Sequence, residues 1–202
     1  MSKERVHILG ICGTFMGGLA LMGKEKGIEI SGCDENIYPP MSDHLQDMGI
    51  EIIEGYDSSE LPVADYYVIG NSISRGNPAL EYLLSKKSNL ISGPEWLYDS
   101  VIKDKKVIAV SGTHGKTTTT SLIAKMIEEN GMDPTIINGG IISSLDSNAR
   151  LGNGEWMVVE ADESDGSFSK LNPTAAIITN IDLEHLDCLL YTSDAADEGL
   201  GV

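Results

Sequence analysis

Positively charged residues are scarce in this sequence. It has 14 lysines and arginines against 31 aspartates and glutamates, which gives a formal net charge of −17 over 202 residues. This excess of negative charge argues against a nucleic-acid groove or an anionic membrane surface as a partner. Any phosphate-bearing ligand must therefore be held locally, by backbone N–H groups, a few lysines or a metal ion.

Long hydrophobic runs and cysteine pairs are also lacking. No apolar run approaches the roughly 18 residues that a membrane span needs. The first residues, MSKERVHILGIC, have the pattern of a strand rather than that of a signal peptide. The three cysteines, Cys12, Cys33 and Cys188, fit neither a disulfide framework nor a zinc site. We therefore expect a cytoplasmic protein with no membrane and no nucleic-acid partner.

What the sequence does contain is an alternation of short β-branched runs with helix-like segments. This pattern predicts βαβ units and a mostly parallel sheet, that is, an α/β fold. The predicted strands cover residues 5–11, 28–34, 50–55, 65–72, 89–93, 105–112, 155–162 and 174–180. We predict a Rossmann-like parallel-sheet domain over 1–103 and the start of a P-loop α/β domain over 104–187, with the charged stretch 101–106 as the seam.

The stretch VSGTHGKTTTTS, at 110–121, has most of a nucleotide P-loop. The strict pattern is Gly, four residues, then Gly-Lys-Ser/Thr, but Val110 stands where the first glycine belongs. A predicted strand precedes the loop and a predicted helix follows it, so free N–H groups at the helix start favour an anion. Lys116 would then reach the phosphates, and the Thr117 hydroxyl would occupy a magnesium-ligand position. The alternative is an ordinary glycine turn capped by threonine.

A second loop, GICGTFMGG at 10–18, also follows a strand and opens a helix. Its glycine spacing departs from the dinucleotide pattern G-x-G-x-x-G, so that loop alone is weak evidence. Asp34 ends the next predicted strand, about 20 residues further on, where a carboxylate can accept hydrogen bonds from ribose hydroxyls. A solvated carboxylate at a strand end explains Asp34 equally well.

Two acidic segments follow strands of the second series. VVEADESDGS, at 158–167, places four carboxylates at the strand edge where open α/β sheets bind ligands. Their mutual repulsion is relieved if some of them meet a cation such as magnesium. TNIDLEHLD, at 179–187, ends a strand in Asn180 and adds His185. A solvated acidic loop and an exposed histidine are the alternatives.

The last segment, CLLYTSDAADEGLGV at 188–202, does not continue the alternation of strand-like and helix-like segments. Its start looks like the translation of a sequencing-library adapter, so we expect 188–202 to be a non-native tail and leave it out of the fold prediction. The alternative is a genuine acidic tail. If the tail is foreign, the native protein is expected to continue beyond Asp187 and this chain to be truncated.

The motifs GTHGKTTTT, NGG (138–140), NARLG (148–152), EADESD (160–165) and TNIDxEH (179–185) resemble the central ATPase domain of the Mur ligases. That family uses a P-loop without the first glycine. The motifs HILGICGTFMGGLA, NIYPPMS, GNSISRGNP and SGPEWL resemble the N-terminal domain of the same family. The central half is most similar to members that use L-alanine, and the first half to members that use a recycled tripeptide. A chimeric assembly and a natural protein of intermediate type both remain open.

The resemblance implies an ATP-dependent ligase of peptidoglycan synthesis or recycling. Such an enzyme joins the lactyl carboxylate of UDP-N-acetylmuramate to L-alanine, or to the tripeptide L-alanyl-γ-D-glutamyl-meso-diaminopimelate, through an acyl phosphate. Residues 1–103 would hold the UDP sugar, 104–187 would bind ATP and Mg²⁺, and a third domain would be missing. The chain by itself is therefore expected to be inactive. A nucleotide-binding fragment without ligase activity and a P-loop small-molecule kinase are the alternative functions.

The resemblance also assigns residues. The positions that match the ATP site are Gly112, Thr113, His114, Gly115, Lys116, Thr117, Thr118 and Asn180. Lys116, Glu160 and His185 match catalytic positions, and Thr117, Glu160 and His185 match metal-ligand positions. The positions that match the uridine-diphosphate site are Gly13, Thr14, Asp34, Asn71, Ser72 and Ile73.

Overall fold

The computed structural model of the chain describes residues 3–142, 147–161 and 171–181. Within these ranges the strands form two five-stranded sheets, and helices pack against both of them. The predicted α/β class is therefore confirmed. No helix in the described ranges has the length and apolar character needed to cross a membrane.

The first sheet is entirely parallel and has the strand order β3-β2-β1-β4-β5. Its central strand, β1, is buried over four of its five residues. The strand order reverses between β1 and β4, and open α/β sheets bind ligands at such a point, beyond the carboxyl ends of the strands. The strands are β1 (Arg5–Leu9), β2 (Glu29–Asp34), β3 (Glu51–Glu54), β4 (Tyr66–Ile69) and β5 (Leu90–Ser92).

Four helices and a π-helical turn accompany this sheet: α1 (Thr14–Glu25), α2 (Met41–Asp47), α3 (Pro78–Ser85), α4 (Gly93–Leu97) and the turn Tyr98–Ile102. The side chain of Asn77 caps α3 by accepting from the Leu80 N–H, and Ser92 caps α4. By contrast, no side chain among the described residues caps α1 at Gly13, the residue before its first turn. The amide groups of its first turn are thus left for another acceptor.

The second sheet has the order β10-β6-β9-β7-β8 and is parallel except for the pair β7 and β8, which is antiparallel. Helix α5 (Lys116–Glu129) packs on it through a buried cluster of Ala124, Ile136 and Val158. The β7–β8 pair is not among the strands predicted from the sequence. The strands are β6 (Lys106–Ser111), β7 (Thr135–Ile142), β8 (Ser147–Arg150), β9 (Trp156–Glu160) and β10 (Ala175–Ile178).

The two sheets contact each other through α1 and β8. One apolar cluster contains residues of both, including Leu19 of α1, Ile137 of β7 and Ala149 of β8. A Cβ atom on Gly18 would lie 3.1 Å from the Ala149 Cβ, so the glycine allows the helix and the strand to approach this closely. Polar contacts add to the packing, since the Leu151 N–H donates to Glu25 Oε2 at 3.0 Å.

A buried histidine lies in the central strand of the first sheet. His7 is fully buried; its Nδ1 lies 2.9 Å from the Ser31 hydroxyl, and its Nε2 has no partner among the described residues. Burial lowers the pKa of His7 from 6.5 to about 4, because the charged ring would lose its hydration. At pH values between these two pKa values, the ring therefore stays neutral in the folded chain and takes up a proton in the unfolded chain.

This difference predicts a loss of stability in mild acid. Above pH 6.5 the ring is neutral in both states, so it does not change the free energy of unfolding. As the pH falls from about 6.5 towards 4, the ring takes up a proton in the unfolded state but not in the folded state, and the free energy of unfolding falls. The separation of the two pKa values corresponds to about 3 kcal/mol of unfolding free energy. Urea unfolding at several pH values checks this, with His7→Gln as the variant that cannot titrate. The same pH dependence in both proteins would contradict the prediction.

Candidate nucleotide and metal site

The loop after β1 and the loop after β4 lie side by side at the carboxyl edge of the first sheet. A Cβ on Gly10 would be 3.6 Å from the Ser72 hydroxyl oxygen and 3.6 Å from Ile73 Cγ1. Gly13 and Thr14, at the start of α1, are exposed on the same edge. The structure thus brings together the loop residues predicted for the uridine-diphosphate site.

Asp34 ends β2 beside these loops and is almost fully buried. Its Oδ2 accepts from the Cys12 N–H at 2.9 Å, and its Oδ1 accepts from the Asn36 N–H at 2.9 Å. The carboxylate therefore fixes the shape of the first loop. A role in binding a ribose hydroxyl stays a prediction.

The thiols near Asp34 are not suited to act as nucleophiles. Burial, together with the negative charge of Asp34, raises the pKa of Cys12 to about 11 and that of Cys33 to about 12. Both thiols stay protonated at neutral pH, and a protonated thiol is a poor nucleophile and metal ligand.

The glycine loop of the second sheet runs from the end of β6 to the start of α5, as predicted. Gly112 has a φ of +121° and Gly115 a φ of +82°, a region of backbone space that glycine enters without strain. No side chain in the described ranges caps α5 at Gly115. Lys116 Nζ donates to the Gly112 carbonyl oxygen at 2.7 Å, so the ammonium group lies across the loop.

The end of β10 supports this loop from the neighbouring position in the sheet. Asn180 Oδ1 accepts from the His114 N–H at 2.9 Å, and Asn180 Nδ2 donates to the His114 carbonyl at 3.0 Å. The Thr179 hydroxyl donates to the same carbonyl at 2.6 Å. A Cβ on Gly112 would lie 2.7 Å from the Asn180 carbonyl oxygen, which leaves no room for a side chain there. Asn180 therefore contacts the loop itself.

Glu160 ends β9, and the backbone of β7 holds its carboxylate. Gly139 donates its backbone N–H to Glu160 Oε2 at 2.7 Å, and a Cβ on Gly139 would meet Oε1 at 2.6 Å. The next residue, Gly140, approaches Thr117, since a Cβ there would be 3.2 Å from Thr117 Cγ2. Gly139 and Gly140 thus contact Glu160 and Thr117, two of the three predicted metal ligands. These two glycines belong to the NGG motif, for which no role was predicted from the sequence.

The remaining predicted positions divide into two groups. Thr113 and Thr118 lie in the loop and in the first turn of α5, where Thr118 is exposed. His185 lies outside the described residues, as do residues 162–170 of the acidic segment and the suspected tail at 188–202. Within the described ranges no three His, Cys, Asp or Glu side chains converge as a metal cluster. Magnesium bound with a nucleotide needs fewer protein ligands, because the phosphates and water supply the others.

Comparison with known proteins agrees with this geometry. The family profile "Mur ligase family, catalytic domain" matches residues 5–103, and "Mur ligase middle domain" matches residues 110–196. A UDP-N-acetylmuramate–L-alanyl-γ-D-glutamyl-meso-2,6-diaminoheptandioate ligase of Haemophilus influenzae is 46% identical over 192 residues, which are 91% of this chain and 42% of that protein. A UDP-N-acetylmuramate–L-alanine ligase of Rhizorhabdus wittichii is 45% identical over 183 residues, or 90% of this chain and 38% of that protein.

A solved structure gives the same result. The crystal structure of UDP-N-acetylmuramate:L-alanyl-γ-D-glutamyl-meso-diaminopimelate ligase from Neisseria meningitides superposes with a TM-score of 0.88 at 40% identity, covering 93% of this chain and 63% of that one. This chain spans about two fifths of the length of the curated relatives that it matches. Both kinds of ligase that the motifs resemble thus occur among the relatives. With two Mur ligase profiles matched along its length, the chain belongs to the Mur ligase family.

Proposed function

We propose that this chain is part of an ATP-dependent ligase that joins the lactyl carboxylate of UDP-N-acetylmuramate to an amine in peptidoglycan synthesis or recycling. The observation that carries the proposal lies on two neighbouring strands of the second sheet: β6 leads into the glycine loop that Lys116 crosses, and β9 ends in Glu160, whose carboxylate accepts from Gly139. A phosphate-binding loop beside a strand-end carboxylate suits a nucleotide bound with a divalent cation. The cytoplasmic location stays a prediction.

The reaction needs no nucleophile from the protein. A lactyl carboxylate oxygen attacks the γ-phosphorus of ATP, the bond to the leaving ADP breaks, and an acyl phosphate forms. The amine then attacks the acyl carbon, loses a proton and expels inorganic phosphate, which leaves the amide. Phosphoryl transfer of this kind depends on charge neutralisation and alignment. The loop amides and Lys116 supply both for the phosphates.

The residues present fit a magnesium ion bound with the nucleotide. Hydroxyl and carboxylate oxygens are the ligands that this hard cation prefers, and Thr117 and Glu160 supply one of each next to Gly140 and Gly139 of β7. The ion would neutralise charge on the phosphates when bound. Thr117, Glu160 and the predicted ligand His185 are the residues that would hold it.

Substrate dependence tests the proposal. We expect a chain extended to the length of its relatives to release ADP from ATP only when UDP-N-acetylmuramate and an acceptor amine are both present. Assays with L-alanine and with the tripeptide identify the acceptor. ADP release that ignores the sugar would contradict the ligase and favour a small-molecule kinase. Nucleotide binding without turnover in any combination would favour the binding module.

A further inference from the structure

A buried asparagine joins the two proposed sites. Asn148, in β8, is 1% exposed, and its Nδ2 donates to the Thr14 carbonyl oxygen at 2.7 Å. Thr14 is the first residue of α1 and follows Gly13 in the loop assigned to the uridine diphosphate. The same Nδ2 also donates to the Asn138 carbonyl oxygen, at 3.5 Å. One side chain of the second sheet therefore holds the start of a helix of the first.

Hydrogen bonds continue from Asn138 to the start of α5, directly after the glycine loop. Asn138, in β7, is also 1% exposed, and its Nδ2 donates to the Ser121 hydroxyl oxygen at 3.0 Å. The Ser121 hydroxyl in turn donates to the Thr117 carbonyl oxygen at 2.8 Å. Thr117 is the second residue of α5 and a predicted magnesium ligand. We call this series, Thr14 to Asn148 to Asn138 to Ser121 to Thr117, the polar line.

The packing around the polar line leaves little freedom. A Cβ on Gly18 would lie 3.2 Å from Asn148 Nδ2, so α1 cannot move towards β8 without displacing that amide. At the other end, the backbone of Gly139, directly after Asn138, holds Glu160 at 2.7 Å. A small shift of β7 or β8 therefore changes both the position of the loop at Gly13 and Thr14 and the positions of the predicted metal ligands Thr117 and Glu160. Closely packed interiors transmit such shifts rather than absorb them.

The two asparagines are poorly explained by stability alone. Asn138 Oδ1 and Asn148 Oδ1 are both buried, and neither has a partner among the described residues. A buried acceptor without a partner is unfavourable, and apolar side chains would fill the same space without that disadvantage. What these amides provide is their donors, and the donors form the polar line.

We infer that Asn148 is a positioning residue that couples the two sites, so that binding of the nucleotide at the glycine loop strengthens binding of the UDP sugar at the start of α1, and the reverse. This inference rests on the proposed function, since it takes both sites as given. Coupling of this kind is reciprocal: each ligand raises the affinity of the other by the same factor. The residue acts through Thr14 and touches neither ligand in the proposal.

Calorimetric titration of the extended chain tests the inference. UDP-N-acetylmuramate is titrated with and without the Mg²⁺ complex of the non-hydrolysable ATP analogue AMP-PNP, and the ratio of the two dissociation constants is measured. We expect a ratio of about 5 or more in the unaltered protein. We expect it to fall to one in Ser121→Ala and in Asn148→Ala. Ser121→Ala is the sharper test, because it removes one hydroxyl, favours the helix and lies on the far side of the polar line from the sugar.

Ser147→Ala is the matched control. Its hydroxyl donates to the Ala149 carbonyl within β8, next to Asn148 but outside the polar line, so the ratio should stay as in the unaltered protein. A ratio of one in the unaltered protein, or a ratio that both variants keep, would overturn the inference while leaving the proposed function in place. If neither ligand binds the unaltered protein, the proposed function and the inference both fail. A purely structural role would lower thermal stability and both affinities without changing the ratio.

Discussion

Replacing Lys116 with alanine is expected to lower ATP-dependent turnover of the extended chain about a thousandfold, with the fold unchanged. Lys116 Nζ lies 2.7 Å from the Gly112 carbonyl oxygen, across the loop that would hold the phosphates. In the proposed reaction Lys116 would neutralise charge on the transferring phosphoryl group there, and alanine supplies no cation. The fold should tolerate the change because the lysine side chain is only half-buried. ADP release under saturating substrates measures the effect.

Lys125 offers a matched control on the same helix. Its ammonium pairs with Glu129 at 2.9 Å on the exposed face of α5, away from the loop. Lys125→Ala should therefore leave turnover unchanged, since an exposed pair of this type contributes little to stability. Circular dichroism and thermal unfolding establish that both variants are folded. A folded Lys116→Ala protein with normal turnover would refute the phosphate-binding role.

The second large effect is expected at the carboxylate that ends β9. Glu160→Gln should raise the Mg²⁺ concentration needed for half-maximal turnover by about 10- to 100-fold. The amide oxygen can still accept from the Gly139 N–H, now 2.7 Å from Oε2, so the geometry is kept and the negative charge is lost. Titration of turnover with Mg²⁺ at fixed ATP checks the prediction.

Gly139→Ala tests the same site without replacing Glu160. Its Cβ would stand 2.6 Å from Oε1, so the carboxylate must move, and the Mg²⁺ requirement should rise here as well. Glu155 provides the control, because it lies just before β9, is exposed and pairs with Lys106 at 3.0 Å. Glu155→Gln should not change the requirement. An unchanged Mg²⁺ dependence in both Glu160→Gln and Gly139→Ala would remove Glu160 from the metal site.

The glycine loop could be predicted from sequence because its signals are local. A β-branched strand, two glycines, Lys116, Thr117 and a helix lie within one short segment, and each predicts its neighbour's conformation. The parallel sheet of the first domain was predictable for the same reason, since its strands and helices alternate in order along the chain. Its order, with β1 between β2 and β4, matches what such alternation favours.

The β7–β8 pair escaped prediction because its signals are weak and distant. β7 carries Gly139 and Gly140 in its interior, and glycine is depleted in strands. Those glycines are required by the approach of Glu160 and Thr117, which the sequence places 20 residues or more away. Asn148 likewise has its main partner, Thr14, far earlier in the chain. Contacts of this range are decided by the packing of the two sheets.

The support that Thr179 and Asn180 give to the glycine loop has a consequence for gene fragments. A product that stopped before Ala175 would retain every letter of GTHGKTTTT, but it would lose the hydrogen bonds that fix the backbone of His114. Such a product would carry the motif of a nucleotide-binding loop but would lack the two side chains that hold the His114 part of that loop. A sequence fragment should therefore be counted as a member of this family with an intact loop only when it contains both GTHGKTTTT and the segment with Thr179 and Asn180.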